Sequence, residues 1–554
     1  MGGTLASGTA RGGAILSRAA AIALGLCTLG TLGSSVTGCR VAESDVRRWE
    51  GTQRGPHKLV AVITHDKYSW ELRTDAALSL IRMAPRGGVR QGIAFLIDKY
   101  KNEEGETREG ALNQVSEETR RQIVDRMAPL LIKELEGAPP SRTPEGRLPP
   151  DPTIPFKDAT FAMLVHEPPL VSNEKTRTDL RAALTKWASV GFEDRIENGS
   201  QQFGLEQMMK FLGSESVKTL PGIINENASR IDRVASLIND VGDEPTKLKA
   251  SEALTALAQK YNSKEWLEAQ TKVVKESNAR NNIKADETQV AGQVDKMQER
   301  NLTEAVFPAM KRVGGRPSID YLFSYAADGK QTADRRKLAL AALEGRVDKN
   351  SPTDLERIFA IAKNEENPDA VRDVAFTRMG EFPKEQIVPK LYTLFEPKKW
   401  KTRWVAGETV LKTFSSTKQI PDFLARLPKT SLTKMGMTEP LSYGGKIKAM
   451  TEAPGDPKAR DVLAPYLNGP SAKDLGAKLT ALGFFWEGKK VDRPAVEPFQ
   501  NDATPLPKCE KEDECSWSCD VPKASPPGTK ETEPKELHTV GEFVKFCLVP
   551  SMEK

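Results

Sequence analysis

Five times along this chain a basic residue is followed three positions later by Ala and four positions after that by a large apolar residue: Arg73-Ala76-Leu80, Lys247-Ala250-Leu254, Arg336-Ala339-Leu343, Arg372-Ala375-Met379 and Arg403-Ala406-Val410. Offsets of zero, three and seven share one face of an α-helix, whereas a strand would send them to opposite sides. The Ala lets a neighbouring helix approach and the large residue fills the layer between helices. The basic head is expected to reach an acid in the preceding turn, where Asp243, Asp334 and Asp369 stand. A sixth match, Arg108-Ala111-Val115, lacks a turn signal and reads as coincidence. Apolar residues at three- and four-residue spacing dominate the rest of the chain, and strand-like alternation is confined to Leu59 to Ile63, short enough to be a helix end.

The last three matches are 36 and 31 residues apart, and each follows another periodic run, at 319–326, 355–362 and 386–395. Helix, short turn with Pro or Asp, then a helix with Arg at a fixed place resembles the HEAT repeat family, including its short bacterial variety related to phycobilisome-lyase repeats. The resemblance extends over 319–427 and is weaker at 243–258 and 66–83. It implies an all-α fold, an α-solenoid of HEAT-like helix pairs, made partly irregular by uneven spacing before Arg336 and by a Gly-rich insertion near 431–458. It also implies that the second helices of successive pairs lie side by side and line a concave face that binds a protein partner. Counted from the Ala positions, the outward residues there are Lys337, Asp373, Thr377, Arg378, Trp404, Glu408 and Lys412. Trp404 is the member whose size also suits a core.

At 554 residues the chain is long enough for such an array or for two or three separate cores. The net charge of +5 argues against a dedicated nucleic-acid binder, which carries a marked basic excess on one face. The N-terminus supplies Arg11 and Arg18, then a small and apolar stretch from Ala19 to Leu32, with no acid before Glu43. This is the order of a secretory signal, and the stretch is too short to span a bilayer. It ends in Val36-Thr37-Gly38-Cys39, which resembles the lipobox of bacterial lipoproteins. The resemblance implies cleavage after Gly38 and lipidation of Cys39. With Arg40 and not Asp next, the expected address is the outer membrane, facing the periplasm, with lipid as the sole membrane contact.

Behind a signal peptide at 1–38, the expected organisation is a tether at 39–56, a helical block at 57–136 and a linker at 137–156 with seven prolines. Helical repeats follow at 157–261, then a long charged helical segment at 262–312, further repeats at 313–500 and a Cys-rich cap at 501–554. Cys509, Cys515, Cys519 and Cys547 lie in a tail too poor in apolar residues to fold without a staple. In an exported protein they read as two disulfides, three pairings being open; zinc is the rival, and it lacks a second close ligand pair. Thr539-Val540-Gly541-Glu542 is a capping box that starts a helix with Val540, Phe543 and Cys547 on one face, and Trp517 is the expected apolar plug.

Catalytic signatures are missing: no G-x-S-x-G, H-E-x-x-H or phosphate-binding glycine loop occurs. Ser415-x-x-Lys418 and Ser172-x-x-Lys175 fit a two-residue nucleophile pattern without its companion elements, and His65-Asp66 point about 100° apart on a helix. No catalytic residue, metal ligand or cofactor is expected. The leading expectation is a non-enzymatic binding or scaffolding lipoprotein; the alternatives are an envelope hydrolase with scattered carboxylates or Ser, and a structural protein that binds cell wall.

Overall fold

The computed structural model of the chain describes residues 41–552 apart from 87–88, 103, 193–194, 196–202, 226–229, 396–399, 428–434, 470–472, 508–515 and 523–530. Helices dominate, and the described strands form two short antiparallel hairpins, Lys99–Lys101 with Thr107–Glu109 and Ser518–Pro522 with Thr532–Glu536. Arg108 falls in the first hairpin, away from any helix face.

The described part of the segment expected to be a tether, residues 41–56, is folded. Helix Glu43–Trp49 buries Val46, and Gly55-Pro56, which the sequence presents as a break, opens the helix Gly55–Thr64. Proline suits a first helical turn because its fixed φ is helical and its missing N–H leaves no orphan there. A Cβ on Gly55 would lie 1.9 Å from the carbonyl oxygen of Trp49, so only Gly permits this junction. Leu59 to Ile63 lie inside the helix.

The proline-rich stretch contains no described helix or strand before Ile154, yet it is not a free linker. Asp151 and Thr153 are buried, and the buried Arg195 binds both ends of the stretch, with Nη2 donating to the carbonyl of Gly137 at 2.8 Å and Nε 3.4 Å from Asp151. Trp187 lies under the same guanidinium at 4.2 Å and donates its N–H to Thr153. A second buried group, Lys157 and Asp158, is closed by Arg90 at 2.6 Å.

The charged segment is not one long helix. Lys264–Arg280 and Glu287–Glu299 form a hairpin whose narrow contact stripe holds Val274, Asn278, Val290 and Val294, with Asn278 donating to Gln293. The second arm continues through a π-helical stretch, Arg300–Val306, into Phe307–Val313.

Beyond it lies an α-solenoid. Arg316–Ala327 pairs with Ala333–Ala342, Pro352–Lys363 with Asp369–Met379, and Lys384–Tyr392 with Trp400–Lys412. The second helices stack in one row that runs on through Thr438–Lys448 to Leu475–Gly483. Part of the expected Gly-rich insertion, Thr438–Lys448, belongs to this row: Gly444 sits inside that helix, where a Cβ would meet the backbone of Gly483 at 2.2 Å. Gly444 marks a close helix crossing, while Gly455, at φ +84°, lies in the turn that follows the helix.

All five Ala and all five large residues of the recurring pattern are fully buried. The basic residue, however, does not first seek an acid. Arg73, Arg336 and Arg372 are themselves buried, and each donates Nε to the carbonyl ten residues back: Ile63 at 2.8 Å, Ala326 at 2.7 Å and Ala362 at 3.0 Å. Those carbonyls close the preceding helix, whose last four C=O groups have no partner within it. The guanidinium also reaches the next pair, Arg336 to Asn367 at 2.7 Å and Arg372 to Thr402. Arg403 makes the same forward step as a buried bidentate pair with Glu439, at 2.6 and 2.7 Å. Lys247 departs from the pattern and pairs with Glu244 at the surface, since an ammonium lacks the fork for two separated acceptors.

At the C-terminal end, Cys519 on the strand hairpin is bonded to Cys547 in the last helical segment. Thr539 accepts from the amide of Glu542, whose carboxylate takes the amide of His538. Val540, Phe543 and Cys547 are buried together, and Trp517 packs edge-on against Phe543 while its N–H donates to the Met435 carbonyl. Cys509 and Cys515 lie outside the described residues, as does Cys39.

Candidate binding groove

Between the second helices of the pairs lies an open groove of about 1050 Å³, walled by Asp369–Met379 and Trp400–Lys412 and reaching the turn after Ala333–Ala342. Six of the seven residues placed by counting from the Ala positions line it: Asp373, Thr377, Arg378, Trp404, Glu408 and Lys412. Lys337 does not; it is half-buried and pairs with Asp334 at 2.8 Å.

Arg378 corrects the expectation that this residue is a free surface contact. It is 8% exposed and spans Glu381 at 2.5 Å and Glu344 at 3.7 Å, so it ties the C-terminal ends of neighbouring helices under the groove floor. Its offset is correct for the groove, but a guanidinium long enough to reach the preceding pair folds back toward it. Trp404 is half-buried and stacks on Trp400 with ring centroids 5.7 Å apart and an interplanar angle of 20°. Its indole N–H has no acceptor among the described residues.

Charge is sorted along the groove. Toward the N-terminal ends of the helices stand Asp369 and Asp373, with Lys401 bound to Asp369 at 3.2 Å; Glu408 stands farther along, one turn before Lys412. Burial in the groove wall, then the neighbouring Asp369 carboxylate, push the Asp373 carboxyl above the ordinary aspartate range; Glu408 adds to this, and Arg372 and Lys401 offset part. Toward the C-terminal ends stand Lys349, Lys384 and Lys412, exposed and without a carboxylate partner among the described residues. Lysines are favoured there because helix C-termini carry partial negative charge. Lys349 and Lys384 escaped the sequence reading because they lie in or just after turns, where no helical offset reaches.

The chemical near-misses do not assemble. Lys418 pairs with Asp456 at 3.1 Å, and the amine nearest the Ser415 hydroxyl is Lys384 at 3.4 Å, on an exposed rim. Lys175 pairs with Asp179, and Asp66 pairs with Arg73 while the His65 ring accepts from the amide of Lys67. Among the described residues no group of three or more His, Cys, Asp or Glu could hold a metal ion, and no helix is long and apolar enough to cross a membrane.

No known family profile matches this chain, and no curated protein matches it. Among solved structures, a crystal structure of a Kap121p mutant is similar at 12% sequence identity with a TM-score of 0.20, over 85% of this chain and 57% of that one. The chain thus spans little more than half of that protein's length, and no residue correspondence is drawn from it.

Proposed function

We propose that this chain is a non-enzymatic binding protein that holds a protein partner in the groove between its second helices, and that a lipid on Cys39 tethers it to a bacterial cell envelope, at the outer membrane facing the periplasm. The groove carries the reading. It is concave and of about 1050 Å³, and its wall presents Trp404, an amphipathic ring of the type enriched where binding energy concentrates. The tether rests on the Gly38-Cys39 junction and on the first described helix starting at Glu43, which leaves room for only a short connection.

A photo-crosslinking residue at Thr377, an exposed groove position, should give a discrete protein adduct in cells that make the full chain. The same probe at Leu338, exposed but outside the groove, should not. Equal labelling from both positions, or none from Thr377, would overturn the binding reading. Mass spectrometry of the mature N-terminus should show an acylated Cys39, and Cys39→Ser should move the protein to the soluble fraction; an unmodified Cys39 would remove the tether from the proposal.

A further inference from the structure

Resting on that reading, we infer that the groove's occupant is a polypeptide segment bearing a basic side chain that lies between Asp373 and Glu408, and an acidic side chain about three residues further along that meets the Lys384 and Lys412 end. Asp373 is exposed in the groove, and its carboxylate makes no ion pair or hydrogen bond among the described residues. The Glu408 carboxylate is held from behind by the Ser442 hydroxyl, which fixes its position without supplying a positive charge. A cation entering here meets two carboxylates in a wall that also holds the Trp404 ring, stacked on Trp400; an indole is a favourable neighbour for an ammonium or guanidinium.

At the other end the demand is reversed. Lys384 reaches only the Ser415 hydroxyl, and Lys412 and Lys349 have no anionic partner among the described residues. The local acids are engaged: Glu381 holds Arg378 and the amide of Gly345, and Glu344 holds Lys311 at 2.7 Å. Between the charged ends lie Val405, Thr377 and Thr409, a wall suited to a backbone and small side chains. From Asp373 to Gly380 is seven residues of helix, about 10 Å at 1.5 Å per residue. An extended chain covers that length in about three residues.

The test uses the full chain and three fluorescein-labelled octapeptide pools of equal apolar content, with Lys and Glu, two Lys or two Glu fixed three positions apart. The mixed pool should bind at least tenfold more tightly than either same-charge pool. Asp373→Asn should remove most of the preference for Lys, and Lys384→Glu with Lys412→Glu should turn the preference to the two-Lys pool. All three side chains are exposed, so circular dichroism and melting of these variants should match the parent. Equal binding of the three pools, or a preference that the folded variants leave unchanged, would overturn this inference. A Thr377 adduct with no charge preference would overturn it while leaving the binding reading in place; loss of both would end both.

Discussion

Replacing Arg336 by Leu removes one rung of the arginine ladder, and the structure allows its cost to be worked out. The side chain is 3% exposed, with Nε on the carbonyl of Ala326 and Nη2 on Asn367. Leucine leaves the Ala326 carbonyl buried without its partner, at about 1–3 kcal/mol, and the half-buried Asn367 amide oxygen with less, about 1 kcal/mol. Against this, burial already pulls the Arg336 guanidinium below its ordinary pKa, so removing the charge recovers part of the desolvation cost. The net expectation is a loss of about 2–3 kcal/mol. Repeat arrays open in parts, so the loss should appear locally. Hydrogen exchange should quicken about 30- to 150-fold in peptides covering Arg316–Ala327 and Pro352–Lys363, and remain unchanged in Glu117–Leu135. Arg336→Lys should fall between, since one ammonium cannot serve both acceptors. Unchanged exchange in the Leu variant, or full protection in the Lys variant, would refute the capping role.

Gly407→Ala improves helix propensity by about 1 kcal/mol, yet its Cβ would lie 2.4 Å from the Tyr443 hydroxyl, which is fully buried and bonded to the Arg403 carbonyl. Overpacking should win, with a net loss of about 1–2 kcal/mol in thermal melts; a stabilised variant would mean that the two helices are not this close. Reducing Cys519–Cys547, which closes a separation of 28 residues, should cost about 3–4 kcal/mol and raise exchange in the cap alone. Affinity for the Lys-bearing peptide pool should fall on acidification, beginning above the pH at which an ordinary aspartate titrates, because Asp373 must ionise to take the cation; titration by fluorescence anisotropy checks this. For the free protein the sign is opposite: the folded Asp373 holds its proton more tightly than the unfolded chain does, so its contribution to stability declines as pH rises through that window.

The fold was readable where a side chain's job depends on helical offset alone. Ala339, Ala375 and Ala406 had to be buried because a helix face is decided by spacing, and the groove followed from the same count. What failed to read were features decided by a partner distant in sequence. Gly55-Pro56 looks like a break until Trp49 is seen lying against Gly55, and Gly444 looks like a loop until Gly483 crosses it. The proline-rich stretch looks free because nothing local holds it; Arg195 does, from 58 residues beyond Gly137. Arg378 likewise has a surface offset and an interior fate, fixed by Glu344 and Glu381.

The same distinction explains why a groove exists at this place. Neighbouring second helices are fastened at their N-terminal ends by Arg372 with Thr402 and by Lys401 with Asp369. At their C-terminal ends they are fastened by Glu381 with the Gly345 amide. The Ala residues close the inner side between these fastenings, where small side chains permit contact, and the outward side is left open because its residues are too polar to be buried against each other. Asp373 and Glu408 are one such pair: both line the open side, and the Glu408 charge adds to the rise in the Asp373 pKa, so the two carboxylates repel and do not favour closure. Filling that gap from within, by Glu408→Lys, should therefore pair with Asp373, draw the walls together and lower affinity for the Lys-bearing pool while raising the melting temperature. A variant that loses affinity and stability together would show that Glu408 is needed for the fold through Ser442, and would separate the wall of the groove from its recognition chemistry.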